Sequence, residues 1–183
     1  MSARVLVAGI GNIFLGDDGF GVEAARQLAE VDLPQGVQVA DYGVSGMHLA
    51  YDLLGGYTAT ILLDTTQRDS APGTIYVIEL DPEEIANGVS ATDQLGEGRF
   101  VDAHGMHPES VLSLLAMLGG EAGRVLLVGC EPSELEPGIG LTETVQAAVP
   151  TAVNMVRDLI GELVGQVGIP AQVPSVPTMT GEK

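Results

Sequence analysis

Among the side chains able to do acid–base or metal chemistry in this 183-residue chain, a small set falls where apolar runs end or glycines gather. Asp17 and Asp18 stand side by side in the glycine-rich stretch Gly9–Gly21. Asp41 closes a second apolar run, and Asp64 closes a third. His104 and His107 lie together in His104-Gly-Met-His-Pro108, and Cys130 and Glu131 end the run that starts at Arg124. A glycine-rich turn often cradles phosphate, but two carboxylates give this one the wrong sign for an anion and favour a cation or a proton. Carboxylate oxygens and an imidazole nitrogen brought together, with positions left open for water or substrate, suit a borderline divalent ion such as nickel or zinc. Singly, the same residues have plainer uses. Asp18 would be a helix N-cap, Asp64 a strand-end turn residue, and His104 or His107 a cap. A Cys–His peptidase would need the Cys130 thiolate beside a histidine, yet a cysteine closing an apolar strand is expected to be inert and buried.

If these groups are to meet, the elements carrying them must share an edge. Arg4 to Ile10 is a continuous apolar run of the kind expected for a parallel strand buried on both faces. From Gly19 the apolar positions take helical spacing, with Asp18 placed to cap the first turn. Val37 to Asp41 reads as a second strand, Met47 to Leu54 as a helix, and Ala59 to Leu63 as a third buried strand. Three successive strands thus deliver a carboxylate at or just past their C-terminal ends, the edge where open α/β sheets bind ligands. Between Asp64 and the next strand, Thr74 to Leu80, the connection is too short for a crossover helix, which predicts an antiparallel strand and a mixed sheet. Residues 81–103 read as a short helix or turn near Pro82 followed by a long surface connection, the kind of loop that is often functional. Pro108 opens a strong helical pattern to Leu118, Arg124 to Cys130 is a fifth strand, and Val145 to Leu163 keeps helical phase, with Pro150 expected to kink that helix or begin another. The expectation is one α/β domain of three layers over residues 1–163. A mixed, mostly parallel five-stranded sheet carries helices on both faces, and residues 164–183 form a mobile tail.

Composition narrows the function. Seven Lys plus Arg against 25 Asp plus Glu give a formal net charge of −18, which disfavours nucleic acid as a partner. Apolar runs are strand-length, so no membrane insertion is expected. The first residues lead straight into a strand, and one cysteine allows neither an internal disulfide nor a CxxC site; both predict the cytoplasm. Gly9-x-Gly11 resembles the start of a dinucleotide fingerprint, but Phe14 stands where the third glycine belongs. Gly11 and Gly16 have P-loop spacing, yet Asp17-Asp18 follow instead of Lys and Ser or Thr.

Five blocks, in order, resemble those of the [NiFe]-hydrogenase maturation endopeptidases: Gly9 to Val22, Asp41-Tyr-Gly-Val-Ser-Gly-Met47, Ile61-Leu-Leu-Asp64, His104 to Leu112, and Val128-Gly-Cys-Glu-Pro132. The resemblance spans about residues 4–163. It implies an endopeptidase that removes the C-terminal extension of the hydrogenase large-subunit precursor after nickel insertion, with nickel supplied by the substrate and zinc or cadmium able to take its place. The metal-contacting positions it implies are Asp18, Asp64 and His104. Asp41, with Asp18, is the catalytic candidate, placed to position the cleavage segment or carry a proton, and Asp17 supports Asp18 electrostatically. His48, His107 and Glu131 are expected to be structural or peripheral. At position 18 the family uses Asp or Glu. At position 44 it usually has Thr, where this chain has Val44, so a hydroxyl is missing there. A non-proteolytic, nickel-dependent binding module or chaperone for the same precursor would show the same metal donors.

Overall fold

The computed structural model describes residues 3–90 and 107–167. Its elements run in order as β1 (Val5–Ile10), a 3-10 turn (Gly16–Gly19), α1 (Phe20–Ala29), β2 (Val37–Gly43), α2 (Gly46–Leu53), β3 (Ala59–Thr65), β4 (Ile75–Leu80), α3 (Pro82–Ser90), α4 (Pro108–Met117), β5 (Arg124–Cys130) and α5 (Glu143–Val167). The five strands form one sheet in the order β2-β1-β3-β5-β4. β1 pairs in parallel with β2 and β3, β3 pairs in parallel with β5, and β4 joins β5 antiparallel, as its short connection requires.

The apolar runs of β1, β3 and β5 are continuous because both faces of the sheet are covered. Alternate residues serve alternate layers. Val5 and Val7 of β1, Ile61 and Leu63 of β3 and Val128 of β5 pack under α1 and α5 with Phe20, Leu28, Val149 and Val156. Leu6, Ala8, Leu62, Val125 and Leu127 point the other way, into a second core with Leu49 and Leu53 of α2 and Val111 and Leu115 of α4. The α1 layer sits unusually close to the sheet. A Cβ on Gly21 would run into the carbonyl oxygens of Leu63 and Ile10, so glycine is required there for the helix to approach.

The structure departs from the sequence reading in several places. Asp18 does not cap α1: it lies inside the 3-10 turn, the N-cap position is Gly19, and no side chain caps the helix. Pro150 does not divide the C-terminal helix, which runs unbroken from Glu143 to Val167. Its missing N–H frees the Gln146 carbonyl, but both residues are on the exposed side, where water can satisfy that oxygen. Val145, Val149, Val153, Val156 and Ile160 keep one buried stripe on either side of it. α5 also continues past Leu163, the residue at which the domain was expected to end. α3 reaches Ser90, longer than a single turn, and the rest of the 81–103 connection, like the tail from 168 on, lies outside the described residues. No described helix is long and apolar enough to cross a membrane.

Candidate active site

β1 lies between β2, which follows it in sequence, and β3, which comes later, so the chain reverses its direction of travel across the sheet at the β1/β3 boundary. Such a switch point opens a crevice beyond the C-terminal strand ends. A cleft of about 620 Å³ lies there, lined by the loop after β1 (Gly11, Asn12, Leu15, Asp18), the end of β3 (Asp64 to Gln67), Val44, Leu135 and the start of α4 from His107 to Glu109.

Asp18 and Asp64 meet in this cleft. The half-buried Asp18 carboxylate accepts the Asn12 backbone N–H on Oδ2 at 2.7 Å and the Thr65 hydroxyl on Oδ1 at 3.1 Å. Asp64 is only 6% exposed, and its Oδ1 accepts the Thr65 backbone N–H at 2.8 Å. Burial pushes the Asp64 carboxyl well above its ordinary range. The Thr65 N–H and, less strongly, its hydroxyl oppose that shift, and the nearby charges of Asp18 and Glu109 add to it. Two carboxylates in one partly dry cleft, with Asp64 poorly solvated and its charge opposed by that of Asp18, gain from a cation between them. The donor chemistry therefore fits a divalent metal. Among the described residues no three His, Cys, Asp or Glu side chains are grouped closely enough to hold a metal ion. The sequence-derived third donor, His104, lies outside the described residues. His107, expected to be peripheral, precedes α4 and lines the cleft.

A family model for hydrogenase maturation proteases matches residues 22–159. The chain belongs to that family. The hydrogenase 2 maturation protease of Escherichia coli strain K12 is 33% identical over 162 residues, covering 87% of this chain and 92% of that one. A hydrogenase 2 maturation peptidase from a Thaumarchaeota archaeon has a crystal structure similar at a TM-score of 0.66 and 34% identity, over 86% of this chain and 98% of that one. The hydrogenase maturating endopeptidase of Escherichia coli is similar at a TM-score of 0.68 and 31% identity, over 87% and 93%. This maturation protease is accordingly a hydrolase of peptide bonds, with the mixed five-stranded α/β fold of its relatives.

Asp17, Asp41 and Glu131 do not line the cleft. Asp17, one residue from Asp18, is fully buried. One of its oxygens accepts the N–H groups of Ser133 at 2.8 Å and Glu134 at 2.9 Å and the Thr142 hydroxyl at 3.0 Å, and the other accepts the Thr142 N–H at 2.7 Å. Burial alone would raise its pKa, but these donors outweigh it and hold the carboxyl below the usual range. Asp17 thus pins the 133–142 loop to the glycine-rich turn. Gly16 and Gly138 reinforce the join, with the Gly16 N–H donating to the Gly138 carbonyl at 3.0 Å and the Gly138 N–H to the Phe14 carbonyl at 2.9 Å.

Asp41 lies in a separate surface depression with Tyr42, His48 and Asp52. Its Oδ2 pairs with Arg26 at 3.1 Å and its Oδ1 accepts the Gly43 N–H at 3.0 Å. Gly43 adopts φ +53° and its carbonyl accepts the Gly11 N–H at 2.9 Å. Asp41 therefore reaches the cleft through backbone, by fixing the turn that carries Val44 into the cleft wall. Glu131 is 5% exposed and organises the loop after β3. It accepts the Arg68 N–H at 2.9 Å and the Tyr76 hydroxyl at 2.7 Å. Burial raises its carboxyl, but these hydrogen bonds prevail and hold it low.

Cys130 is buried in the core under α1 and α5. Burial, with the charges of Asp17 and Glu131, pushes its thiol up to about 12, so this cysteine cannot supply a thiolate nucleophile near neutral pH. Sequence reasoning passed over Thr65 and Asn12, both donors to Asp18. The only signal for Thr65 was a hydroxyl directly after a strand-end acid.

Proposed function

We propose that this protease removes the C-terminal extension of a [NiFe]-hydrogenase large-subunit precursor once nickel has been inserted. The nickel held by the precursor is the feature that its cleft reads. The observation that carries this reading is the meeting of Asp18 and Asp64 at the β1/β3 switch point, with Asp64 buried beside a like charge. A precursor bringing a metal cation removes that electrostatic conflict, whereas an empty precursor leaves it in place. Asp18, Asp64 and His104 would hold the ion, and cadmium or zinc would bind the same donors. Nickel there would supply positive charge and Lewis acidity beside the scissile segment.

The chain's own groups do the rest. Asn12 and Thr65 orient Asp18, and the cleft walls at Leu15, Val44 and Leu135 give apolar surface for an extended peptide. Asp41, paired with Arg26 and bonded to the Gly43 N–H, positions the Val44 wall without touching the reacting atoms. The lone buried thiol suits the reducing cytoplasm, where we place the reaction.

The test is to incubate the protein with its precursor, with and without nickel, and to weigh the product. The expected outcome is loss of the mass of the C-terminal extension from nickel-loaded precursor only. Binding without mass loss would favour a non-proteolytic chaperone. Equal cleavage of nickel-free precursor would overturn the reading of nickel.

A further inference from the structure

Thr65 occupies a position in β3 where one side of the strand has no partner. β1 pairs with β3 only as far as Gly9 opposite Leu63, while β5 continues to Cys130 opposite Thr65. The Thr66 N–H donates to the Cys130 carbonyl at 2.9 Å, which places it on the β5 side. Successive N–H groups of a strand point to opposite sides, so the Thr65 N–H faces the side that β1 has left. There it donates to Asp64 Oδ1 at 2.8 Å. The hydroxyl of the same residue donates to Asp18 Oδ1 at 3.1 Å, across 47 positions of sequence.

One residue thus holds both cleft carboxylates, its hydroxyl on Asp18 and its backbone N–H on Asp64, with the hydroxyl also near enough to favour the Asp64 carboxylate. Asp18 has one further donor, the Asn12 N–H on Oδ2. A carboxylate oxygen that accepts one hydrogen bond keeps a second lone pair for a cation. Groups that orient metal ligands through hydrogen bonds typically govern affinity by about 10- to 100-fold. The Thr65 donors also lie where two negative groups would otherwise face each other with no positive group among the described residues that touch them.

We infer that Thr65 is the positioning residue that clamps Asp18 and Asp64 into one metal-receiving pair, an inference that rests on the metal-reading function proposed above. Thr65 contributes no ligand. Its hydroxyl sets the direction of Asp18 Oδ1 and its N–H that of Asp64 Oδ1, so losing the hydroxyl should release Asp18 while the backbone N–H keeps its hold on Asp64.

The experiment titrates cadmium alone into the full-length protein by calorimetry, comparing wild type with Thr65→Val and Thr65→Ser, and records a melting curve for each. Valine keeps the shape and strand preference of threonine but lacks the hydroxyl, whereas serine keeps the hydroxyl. The expected result is cadmium binding about 10- to 100-fold weaker in Thr65→Val. Thr65→Ser should stay within about threefold of wild type, with all three proteins melting at similar temperatures. Cadmium binding by Thr65→Val equal to wild type, or by Thr65→Ser as weak as by Thr65→Val, would overturn the clamp and leave the metal-reading function standing. A wild-type protein that binds no cadmium, and whose processing of precursor does not depend on nickel, would remove that function and the clamp with it. If Thr65→Val does not fold, Thr65→Ala is titrated in its place with the same criteria.

Discussion

Asp17 and Asp18 are neighbours in sequence and opposites in physics. Asp17 is fully buried, but four donors surround it and its charge is stabilised. Asp18 is half-exposed, accepts two hydrogen bonds, and faces Asp64, whose own charge is opposed by burial with only Thr65 to offset it. Burial by itself therefore does not decide what a carboxylate does. A carboxylate whose oxygens are filled by the protein is a structural tie, and a pair left partly unfilled is a receptor for a cation.

The widest separation between the two sites should appear in activity. Asp18→Ala should reduce processing of nickel-loaded precursor below detection while leaving the circular dichroism spectrum unchanged. An altered spectrum would make Asp18 a second structural tie and erase the contrast. Asp17→Ala should do the reverse and act first on stability. It leaves the N–H groups of Ser133, Glu134 and Thr142 without their acceptor, a loss of about 3 kcal/mol, or roughly 6–12 °C in melting temperature for a chain of this size.

Acid titration sharpens the same point. The folded pKa of Asp17 is depressed, so its contribution to stability is present above the unfolded value and is lost as pH falls through the folded one. Wild type should therefore lose its advantage over Asp17→Ala below about pH 4. Asp64 has the opposite sign. Its folded pKa is raised, so it favours the folded state less as pH climbs past the ordinary carboxylate value. Asp64→Asn should consequently raise the melting temperature at neutral pH by about 2–4 °C per kcal/mol relieved, although it loses nickel-dependent processing. A lower melting temperature would mean that Asp64 is stabilising as it stands. The smallest effect is expected from Cys130→Ala. Processing should stay within about twofold of wild type, with a stability cost of about 1 kcal/mol for the small cavity.

Much of this architecture could be read from the chain because its central strands are covered on both faces. Val5 to Ile10, Ala59 to Leu63 and Val125 to Cys130 are almost wholly apolar, with Thr60 the one polar residue among them, and each ends near a polar group, so the strands and the edge they share were legible together. The orientation of β4 followed from the length of the connection before it. The structural tie at Asp17, expected only to support Asp18 electrostatically, was not legible, because the donors that claim it lie 116 to 125 positions away. Asp18 looked like a helix cap because its sequence context fits one, but a 3-10 turn intervenes and its carboxylate turns back to Asn12. Thr65 was hidden for a related reason. Its hydroxyl partner comes from another strand's loop, and local patterning carries no trace of that meeting.

The tie at Asp17 also bears on how the molecule comes apart. An exposed loop such as 133–140 would ordinarily open and close many times before the domain unfolds. Here the Asp17 N–H donates to the Glu134 carbonyl, Leu15 forms an isolated parallel bridge with Gly138, and the Asp17 carboxylate gathers three amides of the loop. In hydrogen-exchange measurements the amides of Gly16, Asp17, Ser133 and Thr142 should therefore exchange at the slow rates of β1 and β5, as members of one cooperative unit. One wall of the cleft, Leu15 with Leu135, then belongs to the part of the protein that opens last.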